Sequence, residues 1–139
     1  MSATRDPATP DCPAVDLTAS AATDHATYAD ATPVLVTVSV RNANAAICQF
    51  HPAFVTGGVA VQTSVGNPVW VPRPASAPPP YYRLAPQQSV VVVSVTWDQH
   101  MCPPPCTGPE GQRPTRGSYR ALPQVSGVAT VKPAPFTLT

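Results

Sequence analysis

Four cysteines, Cys12, Cys48, Cys102 and Cys106, are the residues of this 139-residue chain whose spacing most constrains its chemistry. An even set of cysteines in a short, lysine-poor chain reads as two disulfides formed in an oxidising compartment. Asp98, His100, Cys102 and Cys106 also fall within nine residues, and an imidazole with two thiolates can begin a zinc or copper(I) site. Such a site needs another soft ligand from elsewhere, and Pro103-Pro104-Pro105 stiffens the chain between the two sulfurs. Two disulfides, no metal and no cofactor are therefore expected, with copper or zinc binding kept as an alternative. His25, His51 and His100 are far apart in sequence, and Glu110 lies in a proline-rich loop. No nucleophile-elbow, zincin or phosphate-loop pattern occurs, so no catalytic residue is assigned and the chain reads as a non-enzyme.

Two further stretches carry residue types suited to partner contact. Trp70 lies between Val69 and Val71, just before Pro72, at an expected sheet edge. The stretch from Pro72 to Arg83 then combines a stiff extended backbone with Arg73, Tyr81, Tyr82 and Arg83, which bury well at interfaces for little entropy. The alternative is a solvated connector with both tyrosines lying over the sandwich edge. A second loop, Met101 to Arg116, would be clamped at its root by a Cys102–Cys106 bridge. A clamped loop is what a proteinase inhibitor needs, because it binds without a cost of ordering, and Arg113 or Arg116 would enter a trypsin-like pocket. Arg113 precedes Pro114, a bond that resists cleavage.

The elements that position these residues are β-strands. Twenty prolines exclude long helices, and a single lysine and a single glutamate cannot supply the usual charged surface helix. Apolar residues alternate instead. Val15, Leu17 and Ala19 share one phase; Val34, Val36, Val38 and Val40 share another; Val91, Val93, Val95 and Trp97 share a third. Val59 to Val65, Pro68 to Val71, Ser118 to Val125 and Phe136 to Leu138 are further strand candidates. Turn clusters separate them, at Asn42-Ala43-Asn44, Gly57-Gly58, Gly66-Asn67-Pro68, Pro86-Gln87-Gln88 and Pro103 to Gly117. About seven short antiparallel strands, each apolar on one face, predict an all-β, immunoglobulin-like β-sandwich, with a closed barrel as the other solution. Residues 1–11 read as a flexible linker and 12–139 as the domain. If the strands around 14–20 and 34–42 are antiparallel neighbours, Cys12 lies near Cys48. That favours Cys12–Cys48 with Cys102–Cys106, while Cys48–Cys102 remains open.

Charge is sparse: 11% of residues are charged and the net is +1, with −3 in residues 1–50 and +4 in residues 51–139. The arginines are scattered rather than striped, which excludes nucleic acid as the expected partner. No apolar run reaches transmembrane length, so any membrane attachment would come through an anchor outside this segment. The opening Met-Ser-Ala-Thr-Arg-Asp-Pro reads as following an upstream export signal or anchor.

The order of features is also specific. An alternating strand from Val34, Arg41-Asn42-Ala43-Asn44, Pro68-Val69-Trp70, Leu84-Ala85-Pro86-Gln87-Gln88-Ser89, a valine strand ending Thr96-Trp97-Asp98, and Arg116-Gly117-Ser118-Tyr119 follow one another. Over residues 34–125 this resembles the BsuPI-type intracellular proteinase inhibitor domain, and also extracytoplasmic Ig-like domains of actinobacterial envelope proteins. Gln87 stands where that pattern has glycine, and Arg116 where it has proline. Read from the residues, Trp97 is a core aromatic and Tyr119 a tyrosine corner, its hydroxyl bonding back to upstream backbone. The functional expectation is a secreted or envelope-anchored module for protein interaction or spacing. Proteinase inhibition is the alternative.

Overall fold

The alternation of β3, Val34–Asn42, is realised residue by residue: Val34, Val36, Val38, Val40 and Asn42 are buried, and Leu35 and Arg41 are exposed. Burial of each such valine contributes about 1.5–3 kcal/mol, which fixes the register, since a one-residue slip would turn the whole valine set to water. The computed structural model describes residues 4–73, 78–104, 106 and 111–139. Around β3 is a four-stranded sheet in the order β10-β1-β3-β8, with β1 at Leu17–Thr23, β8 at Ser89–Trp97 and β10 at Thr130–Lys132. Packed on it is a five-stranded sheet, β2-β11-β9-β5-β6, built from Thr27–Tyr28, Ala134–Leu138, Gly117–Ser126, Ala53–Thr63 and Pro68–Trp70. A short ribbon pairs β4, Cys48–Phe50, with β7, Tyr82–Leu84.

The core lies between the two sheets. Leu17, Ala19, the four valines of β3, Val93 and Trp97 meet Val59, Val61, Val69, Trp70, Tyr119, Ala121, Phe136 and Leu138. The Trp97 ring stands 6.1 Å from that of Trp70 and 6.3 Å from that of Phe136. This is an all-β, immunoglobulin-like sandwich with two disulfides, Cys12–Cys48 and Cys102–Cys106. Pairing Cys48 with Cys102 is thereby set aside.

Several expectations are corrected. Eleven strands form among the described residues rather than about seven, and two pairings, β1 with β10 and β2 with β11, are parallel. Val15 is 78% exposed, because Ala14–Asp16 is a 3-10 turn that carries it out of the β1 phase. Val91 also points outward. Val38 pairs with Val93 and Ser39 with Val91, so Val92 is an extra residue that shifts the alternation, and Val90, opposite Val40, turns towards the core. Gly57-Gly58 is an irregularity inside β5 and not a turn between strands. Both glycines have positive φ, and a Cβ on Gly57 would meet the Pro72 carbonyl oxygen at 2.7 Å.

Residues 4–11, expected as part of a linker, are held down. Thr9 is buried, Asp11 bridges to Gln49, and the Gln49 backbone exchanges hydrogen bonds with Pro10 and Cys12.

Candidate interaction surface

The loop between β8 and β9 is organised by one buried side chain. Gln99 is fully buried, with a left-handed φ of 65°. Its amide nitrogen donates to the carbonyls of Ala29 (2.9 Å) and Thr32 (2.7 Å), and its oxygen accepts from Arg116 Nη1 at 3.0 Å. A buried amide with donors and acceptor all satisfied avoids the desolvation penalty and locks three chain segments together. Arg113 reaches Asp30 Oδ1 at 3.1 Å, and Arg116 lies 3.9 Å from the same oxygen. The two arginines of the loop expected to serve a proteinase inhibitor are thus brought together on Asp30. That carboxylate is 67% exposed, so these pairs position the loop more than they stabilise it. At the base of the loop, Trp97 Nε1 donates to the His100 carbonyl and the Tyr119 hydroxyl to the Thr115 carbonyl, the expected tyrosine corner.

Cys102 straps this loop to the second sheet: its N–H donates to Val69 at 2.9 Å, and Val71 N–H donates to its carbonyl at 3.2 Å. Trp70, in between, is only 6% exposed and packs into the core against Trp97, so it is not the exposed edge residue that was expected. Beside the strap is an open groove of about 300 Å³ lined by Trp70, Val71, Pro72, Arg73, Val95, Thr96 and Cys106. Arg73 is exposed at its rim. Glu110 and Ala75 to Ala77, on which parts of the two expected loops fall, lie outside the described residues.

The tyrosine stretch divides. Tyr82 is buried in the β4–β7 ribbon, with burial pushing its phenol pKa up, which corrects its expected role in contact. Tyr81 stacks on His51 with ring centroids 4.2 Å apart. Arg83 turns to the N-terminal segment, reaching Thr9 Oγ1 at 3.2 Å and Asp6 Oδ2 at 3.5 Å. Here a second buried amide organises the chain. Gln49 donates to the carbonyls of Asp6 (2.8 Å) and Thr9 (2.7 Å) and accepts from Asp6 N–H at 2.9 Å. The Asp6 carboxylate is held below the usual range by the Thr9 hydroxyl and Ala8 N–H, with Arg83 adding charge attraction.

Sequence reasoning missed these amides, and a third, Asn42, whose nitrogen donates to the carbonyls of Ala46 and Leu84. Only Asn42 carried a signal, as the polar residue that continues the inward phase of the β3 valines. The histidines each have their own partners: His25 beside Asp24 and Tyr28, His51 on Tyr81, His100 on Asp98. Among the described residues no three His, Cys, Asp or Glu side chains cluster as metal ligands. Both sulfurs of the alternative copper or zinc set are bonded to each other instead. No helix of the described residues is long and apolar enough to cross a membrane.

No protein-family model matches the chain, and no curated protein matches it. Solved structures with a similar chain path include a β-glucosidase from Erythrobacter marinus at 15% identity and TM-score 0.48, covering 88% of this chain. They include the CARDB domain of the PF1109 protein from Pyrococcus furiosus, in complex with di-metal ions, at 15% identity and TM-score 0.47, covering 95% of this chain and 90% of that one. A third is the Pseudomonas fluorescens alkylpurine DNA glycosylase AlkC bound to DNA, at 11% identity and TM-score 0.47, with 90% and 31% covered. The chain spans about 15% of the length of the β-glucosidase. At these identities the likenesses assign neither family nor activity.

Proposed function

We propose that the chain is a non-enzymatic, extracytoplasmic Ig-like module for protein interaction or spacing at the cell envelope. The observation that carries this reading is that all four cysteines are paired, one bridge pinning the N-terminal segment to the sandwich and the other closing a loop root. Bridges of this kind persist outside reducing compartments, and a chain with one lysine gains little of its stability from surface ion pairs. The likeness to BsuPI-type and actinobacterial envelope domains belongs to this reading as a shared architecture. Inhibition of proteinases is not favoured, because Arg113 is engaged by Asp30 and Arg116 by Gln99 rather than presented on a free loop.

Parallel production in an oxidising and a reducing compartment tests the reading. A thiol-free, protease-resistant protein from the first and an unstable one from the second are expected. Equal stability of the fully reduced protein contradicts it. The same material should leave trypsin-like and subtilisin-like enzymes uninhibited at micromolar concentration.

A further inference from the structure

Four strands stand at the edges of the two large sheets: β10 and β8 in one, β2 and β6 in the other. Three are blunted. β2 has two residues, β10 has three and ends at Lys132 before Pro133, and β6 has three and begins at Pro68. Short length, lysine and proline are the devices by which proteins prevent an edge from templating another strand.

β8 has none of these. Its nine residues, Ser-Val-Val-Val-Val-Ser-Val-Thr-Trp, contain no charge, proline or glycine. Among the described residues it pairs only with β3, so no described strand takes up the N–H and C=O groups of its other flank. Val91 is 52% exposed. The bulge at Val92 adds twist but leaves residues on both sides in extended pairing with β3. Alongside its C-terminal half, a groove lined by Val95, Thr96 and Val71 to Arg73 separates the strand from the chain leaving β6. A long, neutral, valine-rich edge is a template for strand addition.

We propose that β8 pairs antiparallel with β8 of a second copy of this chain, about a two-fold axis normal to the sheet, joining two four-stranded sheets into one of eight. The charges at the ends of the strand select this occupant. Arg41 lies on the outer face opposite Ser89, at one end, and Asp98 follows Trp97 at the other with its side chain 56% exposed. Reversing one strand against the other brings Asp98 of each copy to the Ser89 end of the other, within the span of an arginine side chain, twice. Parallel addition through the same edge would turn one sheet over, setting the two outer faces on opposite sides and losing both Arg41–Asp98 pairs. Between these ends the strand offers valine and serine to valine and serine, as a self-complementary two-fold contact requires. This inference rests on the reading of the chain as an interaction module and names its partner.

Sedimentation of the oxidised chain tests it. At about 100 µM the expected species has twice the 14.5 kDa chain mass. The double variant Val91→Lys, Ser94→Lys places positive charge along both strands at positions whose side chains are already exposed. It should sediment as a monomer with its melting temperature kept. Hydrogen exchange on the unmodified chain gives a second readout: amides of 89–97 should slow as concentration rises, while those of β10 do not change. A wild-type monomer at that concentration, a double variant that still dimerises, or exchange in β8 that ignores concentration each overturns the proposal. A monomer with both disulfides intact refutes β8 pairing while leaving the module reading in place. Reduced cysteines in the exported protein refute the module reading whatever the mass.

Discussion

The two disulfides sit in regions built on the same plan, a bridge beside a buried glutamine amide, yet they do different work. Cys12–Cys48 joins residues 36 apart, with Gln49 next to it gathering the backbone of Asp6 and Thr9. Cys102–Cys106 joins residues 4 apart, and Gln99 nearby gathers Ala29, Thr32 and Arg116. In the chain-entropy account a bridge stabilises by the freedom it removes from the unfolded chain, about 4 kcal/mol for the long loop and about 2 kcal/mol for the short one. The first is a stabilising staple for the whole fold. The second shapes a loop whose position is already set by Gln99 and by the strap from Cys102 to Val69 and Val71.

Removing each bridge in turn separates the two roles. Cys12→Ser with Cys48→Ser should cost about 4 kcal/mol in denaturant unfolding, and Cys102→Ser with Cys106→Ser about half as much. Equal losses would abolish the distinction. Next in size are the amides. Gln49→Leu leaves the Thr9 carbonyl and the Asp6 N–H without partners, the Asp6 carbonyl keeping the Thr9 N–H, and should cost about 2 kcal/mol, with residues 4–11 becoming the first site of proteolysis. Gln99→Leu should cost a similar amount but expose the loops at 29–32 and 113–116 to exchange, leaving the N-terminal segment protected. Smaller again is Tyr119→Phe, which removes one hydrogen bond to Thr115 and should cost about 1 kcal/mol.

The smallest expected effect is acid sensitivity. Asp6 is held low by Thr9 and Ala8, and Asp24 by the Tyr28 hydroxyl and the Leu35 N–H. A carboxylate with a depressed folded pKa adds stability above its ordinary value of 3.8, and that stability is lost as the pH falls through the folded value. Exchange in residues 4–11 should therefore rise below pH 3.8, and Asp6→Asn should remove that dependence.

Much of the fold was legible because one face of each long strand is apolar. The inward set of β3, the core role of Trp97 and the favoured disulfide pairing follow from period-two alternation and the antiparallel neighbours it implies, and the tyrosine corner from the place of Tyr119 two residues after Gly117 at a strand start. The short elements were not legible. β4 and β7 have three residues each, too few to show a period, and the parallel pairings of β10 and β2 depend on contacts distant in sequence. A single extra residue at Val92 shifted the inward phase across part of β8, which no pattern of valines alone reveals. The candidate surface was not legible from residue type. Arg113 and Arg116 meet on Asp30, a contact that no spacing predicted, whereas Trp70 and Tyr82 are buried, since aromatic residues in short strands near prolines close the core as readily as they decorate it. Within residues 1–11, read as a linker, the docking of 4–11 runs through backbone carbonyls and one glutamine, which leave no mark in composition.

The pairing of Cys12 with Cys48 and of Cys102 with Cys106 underlies both the stability difference above and the proposed setting of the domain. Peptide mapping by mass spectrometry without reduction tests it directly. Linked fragments joining Cys12 to Cys48 and Cys102 to Cys106, with no free thiol, are predicted; a Cys48–Cys102 link, or four reduced cysteines, contradicts the account.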